Sequence, residues 1–572
     1  IVGLGLGVLF SQLMSVFVVN MFEVDLSNFT FVISMAAILK SIIYFSIMYI
    51  IVMIFNTISI SKVKLIDLLH ASRKSQNLKL KNPIVCIIIF IFASIMLARA
   101  YYMVTDGVTE MFNATAIFIP IGMGIISTFL IFYSLSGLLL RVAQSRKSFY
   151  FKGLNSFTIR QFSSKINASV ASSAVICLML FLTISLLTTC LTLKDTINGD
   201  ITKYAKADII LTNQRNLSTE YFSDQLVDEN TEDHIKNSNI DILEKLYHFD
   251  FDLTSSLDHY IQIETYRSPQ LTFKDLLASS YEEKAAHNPY LRYSTMEKII
   301  SITDYNKVAK MYGHEEYELK PNEFIIVANY PFYVGMLNEL LTHQEAIDVF
   351  GHQLRPKYTS VMDGFVDISN DALNDGYIVV DDSILDQNYL YEDLLIGNYN
   401  TSKATEIRAL EAKLDALQNS PLSTQYLLPT VQSMMVLKEM SVGLSAIITF
   451  IGLYLGIIFL ISSAAILGLK ELSESSDNQE RFKMLRKLGT DEKLINKALF
   501  RQIGIFFALP LILAIIHSIF GIRFALIILE GLGNNGLLLS IITTSIFLLV
   551  IYGGYFLITY YSSKNIIKER KA

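Results

Sequence analysis

The chain has 572 residues, a mean hydropathy of +0.41 and 52% hydrophobic residues. That is too apolar for an ordinary soluble enzyme, and several apolar runs exceed the roughly 20 residues needed to span a bilayer. Its three cysteines, Cys86, Cys177 and Cys190, all lie in such runs, which excludes a disulfide framework or a thiolate metal cluster, and the net charge of −6 is the remainder of two larger, opposite balances.

Apolar runs at about 1–20, 31–56, 83–104, 115–140, 168–192, 441–469, 502–523 and 537–560 predict eight transmembrane helices. The first residue is Ile inside an apolar run, with no charged n-region or cleavage site before it, so the N-terminus reads as cut within or at the start of a helix. The GLGLG run places Gly3, Gly5 and Gly7 in a membrane span. A nucleotide-binding glycine loop needs a strand before it and a helix after it, so Gly3 and Gly7 read instead as a small-xxx-small packing face. Gly452 and Gly456 repeat that spacing in the sixth span.

Lys40 lies inside the second span and either snorkels outward or pairs with an acid on a neighbouring helix, snorkelling being the favoured reading. Arg99 and Arg523 lie near helix ends, where snorkelling suffices. Pro120 and Pro510 each remove a backbone donor and predict kinks. With no Trp, tyrosines such as Tyr44, Tyr101, Tyr102, Tyr560 and Tyr561 are left for the interfaces.

Orientation follows from Lys and Arg. The loop after the second span carries Lys62, Lys64, Arg73, Lys74, Lys79 and Lys81 against Asp67. The loop after the fourth carries Arg141, Arg146, Lys147, Lys152, Arg160 and Lys165 with no acid, and the tail carries Lys564, Lys568, Arg570 and Lys571. The alternate loops hold Glu23, Asp25, Asp106, Glu110 and Glu530. Eight spans then alternate without conflict, with both ends in the cytoplasm.

Residues 195–440 form the one large block outside the spans, on the outer side in this topology. Between 201 and 435 there are 18 Lys and Arg against 37 Asp and Glu. Runs rich in β-branched and aromatic residues predict strands at Ala207–Leu211, His259–Glu264, Ile299–Thr303, Phe324–Ala328 and Tyr377–Val380, and Thr401–Leu417 has a helical apolar stripe. The block is large enough for one or two α+β domains with cores of their own. From Tyr358 to Ser402 it has no Lys or Arg, but holds Asp363, Asp367, Asp371, Asp375, Asp381, Asp382, Asp386, Glu392 and Asp393. That density reads either as a landing surface for a cationic ligand or as a solvated acidic face; a calcium site is a lesser alternative, since no EF-hand spacing is present.

Residues 473–500 are the longest charged interruption between the C-terminal spans. They predict two short amphipathic helices hinged at Gly489. Phe482, Leu485 and Leu488 share one face, flanked by Arg481, Lys483, Arg486 and Lys487, and Leu494, Ile495, Ala498 and Leu499 form a second stripe. The alternative is an ordinary solvated loop. There is no P-loop motif, no HExxH and no Cys/His metal spacing. The nine His are scattered, so no catalytic constellation is visible.

ESSDNQERFKMLRKLGTDEKLINKALFRQ, followed by LPLILAIIHSIFGI at Leu509–Ile522, resembles the permease subunit of bacitracin-resistance-type (Bce-type) peptide-antibiotic ABC transporters, within the FtsX/MacB-like permease superfamily. GLGLGVLFSQL at Gly3–Leu13 and SKVKLIDLLHASRKS at Ser61–Ser75 also fit. The resemblance implies a polytopic α-helical membrane protein with eight of the family's ten spans and one large extracellular α+β domain. It implies three parts: an N-terminal region 1–194, the outer domain 195–440, and a three-span permease core 441–572. ATPase coupling falls on Arg481, Phe482, Met484, Leu485, Arg486, Lys487, Leu488 and Gly489. The chain itself would be no enzyme and hold no cofactor; Mg-ATP would be bound and hydrolysed by a homodimeric ABC ATPase partner. The implied partners also include a sensor histidine kinase, membrane lipids and a cationic antimicrobial peptide or its lipid-linked cell-wall precursor complex, for which the acidic run with Asp363, Asp367, Asp371, Asp375, Asp381 and Asp382 is the candidate attracting surface on composition; nucleic acid is not implied. The implied location is a Gram-positive-type plasma membrane. The competing reading is an FtsX/MacB-like receptor that senses a peptide and signals without transport.

Overall fold

The computed structural model describes residues 2–21, 34–61, 82–105, 114–145, 147–216, 231–277, 281–287, 295–343, 346–370, 372–420, 428–528 and 536–568. Asp371, most of the basic loop after the second span, the acids Glu23, Asp25, Asp106, Glu110 and Glu530, and Arg570 and Lys571 lie outside these ranges. In chain order the main elements are α1 (Val2–Met21), α2 (Met35–Ser61), α3 (Pro83–Thr105), α4 (Ala114–Ser145), α5 (Asn155–Tyr204), β1 (Ile209–Gln214), α6 (Ile242–Tyr247), β2 (Leu257–Thr272), β3 (Met296–Ser301), α7 (Ile302–Tyr312), β4 (Glu323–Val327), α8 (Pro331–His343), β5 (Ile347–Val349), β6 (His352–Pro356), β7 (Tyr377–Val380), β8 (Leu390–Tyr399), α9 (Ala404–Gln418), β9 (Thr430–Ser433), α10 (Met434–Asp477), α11 (Gln479–Lys487), α12 (Glu492–Ile528) and α13 (Leu537–Ile567). They form two compact units: a helical one of Ile1–Leu191, Ala446–Ala525 and Leu537–Ala572, and an α+β one of Thr192–Ser445 and Leu526–Gly536.

Seven described helices are long and apolar enough to cross a membrane; α1 contributes only the shorter apolar stretch Gly3–Val16. The chain is thus a polytopic helical membrane protein with a large additional α+β domain. The fifth and sixth helices outrun their predicted ends at both sides. Asn155–Tyr204 is 50 residues and Met434–Asp477 is 44, where the hydropathy runs were 168–192 and 441–469. Polar residues can continue a helix once its backbone bonds are propagating, so hydropathy marks the apolar middle and not the ends.

Phe132 of α4, Ala174, Cys177 and Leu180 of α5, Leu460 and Ala464 of α10, Ile503 and Phe507 of α12 and Tyr552 of α13 form one buried core. A Cβ built at Gly452 would lie 2.2 Å from Sγ and 2.6 Å from Cβ of Cys190, and one at Gly456 would lie 2.6 Å from Cγ of Leu187. These glycines let α10 approach α5 closely, as small residues do in membrane helix pairs. The same expectation for Gly3 and Gly7 is not met among the described residues: nothing lies within 4 Å of a Cβ at either. Spacing marks a small face, but only a partner helix makes it a packing face. Lys40 is exposed on α2.

Within this unit His517 of α12 has both ring nitrogens occupied. Its Nδ1 is 2.7 Å from Oη of Tyr101 on α3, and its Nε2 is 3.0 Å from Oγ1 of Thr128 on α4. Thr128 donates its hydroxyl to the Gly124 carbonyl at 2.7 Å, which leaves its oxygen to accept from Nε2–H.

The α+β unit is built on a nine-stranded sheet in the order β5-β6-β4-β7-β3-β2-β8-β1-β9. The β3–β7 and β4–β6 pairs are parallel and the others antiparallel. Both faces are covered, which is why β4 and β7 read as unbroken apolar runs. Ile300, Ile325, Val327, Tyr377, Val379, Leu394 and Ile396 face α7, which contributes Tyr305, Val308 and Ala309. The alternate residues Ile299, Phe324, Ile326, Ile378 and Val380 face α8 through Tyr333, Leu337 and Leu341. Ile209, Leu211 and Leu395 continue that second face under α6 and α9.

The sequence places Ile302 and Thr303 at the end of a strand, but α7 begins there. Ser301 Oγ accepts from the Asp304 amide at 2.9 Å and Gly313 closes the helix at φ +76°. A side-chain cap outweighs the β preference of two branched residues. β8, which pairs with both β1 and β2, is missing from the sequence reading because it lies in the stretch read as an acidic face.

Candidate functional site

Two regions carry the sequence-stated sites: the segment 473–500 in the helical unit, and the acidic stretch of the α+β unit.

In the first, α10 runs to Asp477 and a single residue, Asn478, separates it from α11. Phe482 is 1% exposed, its ring edge-on to Phe157 at 5.6 Å, and Leu485 packs into the same core. At the far end Gly489 takes φ +81°, its amide donating to the Arg486 carbonyl at 2.9 Å while the Thr490 amide reaches back to Leu485 at 3.1 Å. That left-handed closure suits glycine. The Asp491 carbonyl then accepts from Leu494 and Ile495, starting α12. The expected hinge is therefore present. The expected second short helix is not, because Glu492–Ile528 is one helix of 37 residues that carries the Ile495, Ala498 and Leu499 stripe into the bundle. Leu494, expected on that stripe, is 44% exposed.

The basic residues divide by role. The Arg486 side chain is largely covered: Nε bonds Oε1 of Glu492, and Nη1 donates to the Ile567 carbonyl at 2.8 Å. Gln479 Nε2 donates to the Ile566 carbonyl at 3.2 Å. Together with Phe482 these contacts fasten α11 to the end of α13. Arg481 and Lys487 are exposed. So are Met484 at 55% and Leu488 at 82%, one helical turn apart and therefore on one side of the segment. The arrangement is a rigidly held turn that presents two large apolar side chains among cations. It can bind; it has no group placed for chemistry.

The acidic residues are not brought together into one surface. Asp381 caps a 3-10 turn by accepting from the Ser383 amide at 3.0 Å, and Asp382 accepts from Thr303 Oγ1 at 2.7 Å. Asp386 caps the next turn through the Asn388 amide at 3.0 Å. Asp393 is buried, holding Arg215 Nε at 2.9 Å and Asn213 Nδ2 at 2.7 Å. Lys245 joins this buried group by donating to Asn213 Oδ1 at 2.5 Å. Burial pushes the Asp393 carboxyl up against the pull of Arg215, and pulls the Lys245 ammonium down to about 8. Asp363 is exposed, and Asp371 lies outside the described residues.

Asp367 and Asp375 are different. They line a cavity of about 280 Å³ with Lys298, Asn329, Asn374, Tyr204 and Phe365. Lys298 Nζ is 3.1 Å from Oδ2 of Asp367, which also accepts from Tyr377 Oη at 2.8 Å. Burial disfavours the charged Lys298, but Asp367, Asp375 and Glu392 outweigh it and the net shift is upward. Sequence reading marked the two aspartates and missed Lys298, which sits on the edge of a strand-like run with no motif around it. Among the described residues no group of three His, Cys, Asp or Glu is placed to hold a metal.

No protein-family model matches the chain. It is similar to the ABC transporter permease protein YxdM of Bacillus subtilis (strain 168), 29% identical over 83 residues, 14% of this chain and 13% of that protein. It is also similar to an uncharacterized ABC transporter permease of the same organism, YvcS, 28% identical over 125 residues, 22% of this chain and 19% of that protein. The matched stretches span less than a fifth of either relative's length. This weak homology supports the ABC transporter permease class and nothing finer.

Proposed function

We propose that the chain is the permease subunit of an ABC transporter, carrying movement from a separate ATPase to the α+β domain. The observation that carries this reading is the fastened turn at 479–489. Buried Phe482 and the largely covered Arg486 hold it, while Met484 and Leu488 stand exposed beside Arg481 and Lys487. A mobile loop would absorb a partner's push; a turn anchored at both ends passes it on. The cost of leaving Leu488 82% exposed is lifted when a partner covers it. The Lys and Arg distribution supports this segment facing the cytoplasm and residues 195–440 facing outward.

The finer reading is that ATP-driven closure of a homodimeric ATPase moves α10, α12 and α13 together, and that the cargo is an antimicrobial peptide bound to its lipid-linked target. Flux would be reported to a sensor histidine kinase. The two states must differ in affinity for the ATP-bound partner, or no stroke is transmitted. The test replaces Met484 and Leu488 together by Asp. The double variant should keep its membrane level and lose co-purification with the ATPase; retention of the ATPase at the parent level contradicts the assignment. A receptor that senses without transport would go on signalling when the partner's ATP hydrolysis is abolished, whereas the flux-driven protein falls silent.

A further inference from the structure

We propose that the cavity bounded by Lys298, Asp367, Asp375, Tyr204 and Phe365 in the α+β domain is a binding pocket for a single cationic side chain, a primary ammonium presented by a peptide. The inference rests on the outward, peptide-meeting role proposed for this domain, and it names the point of contact.

The argument is one of charge, size and shape. The lining holds two carboxylates against one ammonium, so its local balance is negative, and Glu392 adds to the field felt by Lys298. The domain around it has about twice as many acids as bases. A concave site in such a body concentrates the attraction for cations. Asp367 meets Lys298 and Tyr377 through one oxygen, Oδ2, and Lys298, Asp367 and Asp375 all line the cavity. The walls Tyr204 and Phe365 meet edge to face at 5.6 Å, an apolar lining for the methylene stem behind a charged head. At about 280 Å³ the space falls just below the roughly 300–1,000 Å³ of small-molecule sites, so it suits one side chain and not a folded peptide. Elsewhere in the acidic stretch Asp381 and Asp386 cap turns, Asp393 is held in a buried group, and Asp382 and Asp363 are exposed, Asp382 on the Thr303 hydroxyl; Asp367 and Asp375 line one common space.

The test uses the full chain in detergent and two dansyl-labelled tetrapeptides that differ only in lysine against acetyl-lysine. The lysine probe should bind at least about tenfold more tightly, the effect of one unit charge at a partly screened site. Asp375→Asn should weaken the lysine probe by a similar factor, and Asp375→Glu should retain binding, which separates loss of charge from loss of fold. Lys298→Gln removes the competing cation and should strengthen binding. Equal affinity for the two probes overturns the proposal, as does a loss of binding in Lys298→Gln that matches that in Asp375→Asn. No ATPase is present, so binding here with failed ATPase co-purification would refute the permease reading and leave the pocket standing.

Discussion

Gly452 offers the sharpest test of the helix packing. Replacing it by Ala puts a methyl 2.2 Å from Sγ of Cys190 and 2.6 Å from its Cβ, both far inside van der Waals contact. The next neighbour, the Leu186 carbonyl at 3.8 Å, is not crowded. The clash is therefore with one residue. Relieving it requires α10 and α5 to separate by an ångström or more, and overpacking of this kind costs about 1–3 kcal/mol. Ala is otherwise the better helix former by roughly 1 kcal/mol, so a net destabilisation would show that packing outweighs propensity. Moving the small residue to the other helix, Gly452→Ala with Cys190→Gly, removes both offending atoms. Thermal stability of the purified full chain, followed by fluorescence-detected size exclusion, should fall in Gly452→Ala and recover in part in the double variant. The coupling between the two sites is the quantity of interest. If Gly452→Ala is as stable as the parent, or if the double variant is no better than the sum of the singles, the close approach assigned to this pair is wrong.

Phe482→Ala should loosen the turn at 479–489 without unfolding the bundle. Truncation of a buried Phe costs about 3–5 kcal/mol, and hydrogen exchange should rise in residues 479–487 while the α12 amides beyond Ile495 keep their protection. Arg486→Ala should also reduce ATPase association, but through release of the Glu492 and Ile567 contacts. Its signature is faster exchange in α11, which Leu488→Asp should not show. In the α+β domain the Lys245 ammonium has an ordinary value of 10.5 and about 8 when folded, so the unfolded chain holds this proton more tightly. Stability then rises as pH increases from 8 to 10.5, by up to about 3 kcal/mol at 1.36 kcal/mol per pH unit. Lys245→Met should remove that rise, so the difference in denaturation midpoint between parent and variant changes steadily with pH across the same window.

Much of the architecture is legible in the chain because membrane spans are set by composition, and composition is local. Tyr377–Val380 is found at its true bounds for a related reason: a strand buried on both faces is apolar throughout. The failures have a common cause in non-local structure. Nothing in GLGLG distinguishes Gly3 from Gly452; the difference is Cys190 on another helix. The basic segment reads as a uniform cationic ridge, yet Arg486 is tied to Glu492 and to the end of α13, which leaves Met484 and Leu488 as the exposed features. The acidic stretch reads as one surface because its charges are adjacent in sequence. In the fold they divide among caps, a buried pair at Asp393 and the cavity at Asp367 and Asp375. Lys298, which gives that cavity its asymmetry, is more than sixty residues away in the chain from either aspartate.

The most direct measurement is affinity purification of the tagged full chain from its native membrane, with mass spectrometry of what accompanies it and an assay of ATP hydrolysis. A relay subunit predicts a separate ATP-binding protein in fixed stoichiometry and hydrolysis that depends on it. A chain that purifies alone, or whose preparation signals to a kinase with no ATPase present, contradicts the account.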